Sequence, residues 1–264
     1  MNLIQHVQEG LRGALATLAY GNEPCVWEMF CSPDSGLTKR CLREGLNSIR
    51  IGLSSGFDLY KKEAYEVLKN VFKKQRPRKI WISPMCTLFC DWTNLNYYWY
   101  RPEELNKKRR RERQMLRRLV ALLLWVSYMD PTVQLYWEWP RRCRGWKEPI
   151  VSNFFEQQLP ELGHEVWDCR LDGCRYNLKN DDGMFIPKEW TIKTTDLDLY
   201  GNFRLKPCTK NHEHAWIQGE LTNKTAYYPT NMCRSIARFW SQHLIPQRPP
   251  VVPLKRVQSW KKMP

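Results

Sequence analysis

Three short stretches of this chain put reactive or polar side chains directly after runs that read as buried strands. Cys86 follows Lys79-Ile-Trp-Ile-Ser83-Pro84-Met85, Glu138 sits in Tyr136-Trp137-Glu138-Trp139-Pro140, and Glu28-Met-Phe30 leads into Cys31-Ser-Pro-Asp-Ser-Gly36. A cysteine in such a place is either a thiol that ionises to a nucleophile or an ordinary buried side chain. A carboxyl between two tryptophans is costly to bury unpaired, so Glu138 has either a partner or a site to serve. The turn from Glu28 to Gly36 opens a helix, where N-terminal amides can cradle a nucleotide-like cofactor. Farther on, Cys208-x3-His212-x-His214 offers a thiol and two imidazoles that fall on one face of an extended segment. Structural zinc takes four ligands, and spacing alone does not choose the fourth among Cys169, Cys174 and Cys233. The alternative is a polar turn with exposed histidines.

Such residues need a scaffold, and the hydrophobic pattern predicts one. Strands are expected over 25–30, 48–53, 79–83, 133–139, 166–169 and 190–194. Helices are expected over 2–20, 37–46, 63–72, 102–129, 147–159 and 226–243, the last with Pro229 near its start. Short strands alternating with helices predict an α/β fold with a mostly parallel sheet and flanking helices. Ligands of such sheets bind at the carboxyl ends of strands, which is where Cys86, Glu138 and the Phe30 turn fall.

Composition sets the class of partner. The chain has 264 residues, 42% of them hydrophobic, and 42 Lys+Arg against 27 Asp+Glu, a formal charge of +15. Fourteen basic and four acidic residues lie within 73–118, and five basic residues with no acid lie within the Pro-rich stretch 245–264. Charge gathered in this way points to a polyanion, with nucleic acid the commonest for an intracellular chain. The apolar stretch 119–129 is too short to cross a bilayer, so no membrane contact is expected. The N-terminal segment lacks the pattern of a secretory signal, and the ten cysteines are therefore expected as thiols in an intracellular protein. The run Lys107-Lys-Arg-Arg-Arg111 also reads as a nuclear-import signal, favouring the nucleus over the cytoplasm.

Taken together, Glu28-x-Phe30, Cys86-x-x-Phe89-Cys90 and Glu138, in that order, resemble the cytosine-C5 DNA methyltransferase superfamily. The set ISPMCTLF, YWEWP, CTKNHEH and YYP is similar to a divergent methyltransferase-like module of retroelement-type polyproteins, over about residues 23–240. The resemblance implies a Rossmann-like, S-adenosylmethionine-dependent methyltransferase fold. The resemblance covers the α/β domain (23–244), which has a small Cys/His-containing insertion (196–225), while helical spacing marks an N-terminal helix (1–22) before it and composition a Pro-rich basic tail (245–264) after it. It also implies that Cys86 attacks C6 of a flipped cytosine while Glu138 assists at the N3/N4 edge. S-adenosylmethionine would lie against Glu28, Phe30, Gly36, Ser83 and Pro84, with Asp58 the nearest acid for its ribose. Arg101, Lys107, Lys108, Arg109, Arg110, Arg111, Arg141 and Arg142 would meet the phosphates of the nucleic acid, DNA rather than RNA. Cys208, His212 and His214 remain a candidate zinc site. A competing reading keeps the fold but makes the chain a catalytically degenerate nucleic-acid-binding module. A zinc nuclease or deaminase is disfavoured, because the chain has no HxE or CxxC element.

Overall fold

In the computed structural model, which describes residues 25–98, 101–204, 206–217 and 225–243, six strands form one sheet in the order β2-β1-β3-β4-β6-β5. They are β1 (Cys25–Met29), β2 (Asn47–Ile51), β3 (Lys79–Ile82), β4 (Gln134–Pro140), β5 (Trp167–Asp172) and β6 (Glu189–Thr194). Strands β1 to β4 pair in parallel, and β6 runs antiparallel to both of its neighbours. The sheet is thus mostly parallel but mixed. Strand β5 keeps the direction of β4 one place away, and the chain turns back through β6 to fill the gap.

Helices cover both faces. On one side lie α2 (Lys62–Gln75), α4 (Pro102–Met129) and α5 (Pro149–Asn153), which runs on through a π-helical turn (Phe154–Gln158). On the other lie α1 (Gly36–Arg43), α6 (Leu197–Phe203) and α7 (Thr230–Gln242). Pro102 starts α4 at a position that needs no N–H, with Glu103 and Glu104 in the first turn favouring its dipole. Its second half buries Met115, Leu116, Leu119, Val120, Leu122, Leu123 and Val126. Helix α3 (Asp91–Tyr98) was not expected from the sequence. The expected helix over 2–20 and the Pro-rich tail lie outside the described residues. Among the described residues no helix is long and apolar enough to cross a membrane.

With both faces covered, strand residues alternate between two cores rather than between core and water. Trp27, Met29, Ile80, Ile82, Trp137 and Trp139 face α2, α4 and α5, whereas Val26, Trp81 and Tyr136 face α1 and α7. By the same period of two, Glu28 and Glu138 fall on the second face, at the carboxyl ends of β1 and β4. At the other end of the sheet Lys79 Nζ lies 3.5 Å from Asp196 Oδ2, with both side chains almost fully buried. Lys79 also donates to Gln134 Oε1 at 2.5 Å, and the Tyr136 hydroxyl donates to Asp196 Oδ2 at 2.5 Å. Removing one member of such a pair leaves a buried charge without compensation. Lys79→Met is therefore expected to cost about 3–5 kcal/mol in urea denaturation, with Lys79→Met/Asp196→Asn recovering most of the loss.

Candidate active-site cleft

The sheet order reverses between β1 and β3, so the loops leaving these neighbours part and open a crevice at their carboxyl ends. A cleft of about 340 Å³ lies there, and Phe30, Ser83, Cys86, Glu138, Lys188 and Tyr228 line it. Cys86 and Glu138, which the sequence offered separately, thus meet in one cavity. Glu28, Gly36 and Pro84 line it as well.

The turn after β1 is built around Glu28. Its buried carboxylate accepts from Ser35 Oγ at 2.6 and 2.7 Å, from Thr38 N at 3.0 Å and from Thr38 Oγ1 at 2.5 Å. Burial pushes its pKa up, against the pull of these hydrogen bonds. Ser35 also caps α1 by accepting from Leu37 N and Thr38 N. The side chain expected to touch a cofactor therefore spends its hydrogen-bonding capacity on shaping the turn. Phe30 is held at φ 63°, with its N–H on Ile51 O at 2.8 Å. A non-glycine residue in this left-handed region stores strain of the kind that collects at functional sites. Gly36 lies close against α7, where a Cβ would come within 3.2 Å of Cys233 Sγ and that side chain would have to give by a few tenths of an ångström. Asp58 stands apart from the cleft lining; its Oδ1 accepts from Tyr60 N at 3.1 Å and its Oδ2 lies 3.7 Å from Lys61 Nζ.

The loop carrying Cys86 is gripped at several points. Ser83 N–H bonds Met29 O at 3.2 Å, and the Trp139 indole donates to Pro84 O at 2.6 Å. Phe89 is buried beside Trp139. Arg109 on α4 donates to Leu88 O at 2.9 Å and to Asn94 Oδ1 at 2.5 Å. Burial, then the neighbouring Glu138 carboxylate, raise the Cys86 thiol to about 11, while Lys188 pulls it down.

Glu138 is buried but not unpartnered. The Tyr228 hydroxyl donates to its Oε2 at 2.6 Å and itself accepts from Trp81 Nε1 at 3.2 Å. Burial dominates nonetheless, and the carboxyl group is pushed up to about 7, against the opposing effects of Tyr228 and Lys188. At neutral pH a good part of Glu138 is a carboxylic acid, able to donate a proton as well as accept one. Tyr228 and Lys188 are the cleft residues that sequence reasoning missed. Tyr228 was visible only as part of the closing Tyr-Tyr-Pro, and Lys188 carried no signal.

The basic residues divide into anchors and free cations. Arg109 is spent on the loop. Arg101 and Lys108 pair with Glu104, Arg141 with Glu189, and Arg144 with Asp91. Arg111 lies over the Tyr60 ring at 4.8 Å. Lys107, Arg110 and Arg142 are exposed and form no ion pair with another described residue. Away from the cleft, Cys174, Cys208, His212 and His214 bring one ligand atom each to within 4.8 Å of one another, a group able to hold a metal ion. The fourth member is Cys174; Cys169 and Cys233 are buried in the core.

Comparison with family models and with curated proteins finds no match to this chain.

The raised pKa of Glu138 gives a test. Because it lies near 7 in the fold against an ordinary 4.5, the folded chain holds this proton more tightly than the unfolded chain. The stabilisation is complete below the unfolded value and is lost as pH rises through 7. Glu138→Gln has no such proton. The stability of the wild type relative to this variant should fall by about 3 kcal/mol between about pH 4 and pH 8 in urea denaturation.

Proposed function

We propose that this protein is a cytosine-C5 methyltransferase-like protein acting on a cytosine of a nucleic acid, with Cys86 adding to the base and Glu138 holding its N3/N4 edge. The observation that carries the reading is the meeting of a thiol and a nearly neutral buried carboxyl in one cleft at the sheet's switch point. Supporting it, the resemblance that singled out Cys86 and Glu138 rests on residues far apart in the chain.

The chemistry follows from charge. Carbon C6 of cytosine accepts a thiolate only if the ring can take up the electron pair. A carboxylic acid donating to N3, while its other oxygen accepts from the N4 amino group, makes that possible. The proton on Glu138 has a second effect. The carboxylate charge is one cause of the raised Cys86 pKa, so neutral Glu138 removes an obstacle to thiolate formation. Once sulfur has bonded to C6, the ring electrons reach C5, which takes up an electrophile. Loss of the C5 proton to solvent water and expulsion of the thiolate then restore the ring, and the N3 proton returns to Glu138.

Around the Phe30 turn, the residues present do not fit S-adenosylmethionine in the way the resemblance implies. Asp58 is engaged with Tyr60 and Lys61 rather than lining the cleft, and Thr38 N–H and the Glu28 carboxylate are already paired with each other. This same departure favours a second reading, a noncatalytic nucleic-acid-binding module on the same fold.

Hydrogen exchange separates the two. Without any methyl donor, addition of Cys86 lets C5 of cytosine trade its hydrogen for deuterium in D2O. A single-stranded cytosine oligonucleotide avoids the cost of flipping a paired base. Exchange is expected with the wild type, absent in Cys86→Ala, and slower by about 10²–10⁴ in Glu138→Gln. Binding without exchange would sink the catalytic reading and leave the binding module.

On this reading, nucleic acid is expected to meet the free cations. Lys107 and Arg110 share α4 with Arg109, which touches the Cys86 loop, and Arg142 follows Pro140 at the cleft's edge. Each phosphate neutralised contributes about 0.7–0.9 to the slope of log affinity against log salt. Replacing Lys107, Arg110 and Arg142 by alanine should lower that slope by about 2. An unchanged slope in a fluorescence-anisotropy titration would place the nucleic acid elsewhere.

A further inference from the structure

We infer that Cys174, Cys208, His212 and His214 form a closed, structural zinc site that pins the segment after α6 to the end of β5. The argument rests on distances. Cys208 Sγ lies 3.6 Å from His212 Nε2 and 3.6 Å from His214 Nε2, and the two Nε2 atoms lie 3.0 Å apart. Zinc bonds of about 2.3 Å to sulfur and about 2.0–2.1 Å to nitrogen, at the tetrahedral angle, set S and N about 3.6 Å apart and N and N about 3.3 Å apart. The side chains stand where a tetrahedral ion would hold them, with Cys174 Sγ in the same group.

Their surroundings prepare them for a cation. His212 Nδ1 lies 3.1 Å from Asn211 Oδ1. As a donor there it leaves Nε2 with its lone pair toward the site, the usual outer-shell orientation of a zinc-bound imidazole. Lys210 sits at φ 56°, and its N–H points at Cys208 Sγ over 3.3 Å, so the backbone of the turn fixes where the sulfur stands. Cys208 N–H donates to Asp172 Oδ2 at 2.5 Å, and Ala215 N–H to Phe185 O at 2.7 Å. Two thiolates and two imidazoles in a tetrahedron select zinc, and four protein ligands leave no open position for catalysis. The site therefore acts on the fold. Past the histidines, the chain returns to the cleft at Thr225 and delivers Tyr228 to Glu138.

The test uses the full chain, purified with reductant and dialysed against metal-free buffer. One zinc per chain is expected by elemental analysis, falling to background in Cys208→Ser and His214→Ala and unchanged in Cys90→Ser. Cobalt(II) loaded into the wild type should show tetrahedral d–d absorption and thiolate-to-cobalt charge transfer, which decides the matter even if a ligand variant fails to fold. Absence of stoichiometric metal in the wild type, an octahedral cobalt spectrum, or zinc retained in both ligand variants would overturn the assignment.

Discussion

A carboxyl group buried at the end of a central strand is the constraint on which the rest of this structure turns. Glu138 sits between two tryptophans that face the opposite core, so the pleat commits it to the side of α7. Leaving it unpaired there would cost several kcal/mol. The Tyr228 hydroxyl meets one oxygen, and Trp81 in turn supports that hydroxyl. Satisfying this one group requires the chain to travel 90 residues beyond it, out through β5, back through β6, and across the second face of the sheet. The antiparallel return, the Cys/His segment and the start of α7 all belong to that route. What the partner does not do is neutralise burial, and the acid stays poised between its two protonation states.

Much of this was legible in the sequence, for identifiable reasons. Strands β2, β3 and β4 announce themselves as runs ended by Gly, Ser or Pro, β1 as one that leads within two residues into Ser-Pro-Asp-Ser-Gly36, and α4 begins at a proline and ends with its apolar stripe. Cys86 and Glu138 stood out because a strand end is where a chemically capable side chain is unexpected as packing. The insertion of β6 between β4 and β5 was not legible, because strand order is decided by which edges are left to pair. Helix α3 escaped notice because Asp91-Trp-Thr-Asn-Leu-Asn-Tyr-Tyr98 carries no apolar stripe of helical period. Cys174 was one of three possible partners for the Cys/His cluster, and only the turn after β5 selects it.

The site also shows how a motif residue can change its occupation while keeping its place. Glu28 occupies the strand end at which the sequence suggested a ligand, yet its oxygens are taken by Ser35 and Thr38. Gly36, expected where a cofactor needs close approach, makes room for Cys233 instead. Both residues serve the joint between β1, α1 and α7. By contrast, the part of the cleft between Cys86 and Glu138 retains polar atoms not consumed by the fold, since of the two Glu138 oxygens only Oε2 takes a hydrogen bond from a described residue, Tyr228, and that oxygen keeps a second lone pair.

Arg109 gives the basic helix a different meaning from its charge. Within Lys107-Lys-Arg-Arg-Arg111, four cations occupy the outer side of α4 while one reaches inward to the carbonyl of Leu88 and the amide of Asn94. A divergent copy of this chain could shed Lys107 and Arg110 at little structural cost, and with Lys108 and Arg111 would lose surface contacts to Glu104 and Tyr60. It could not shed Arg109 without loosening the loop beneath Cys86. An arginine found at this position in a divergent copy would therefore testify to the architecture of the loop rather than to the charge of the helix's outer side.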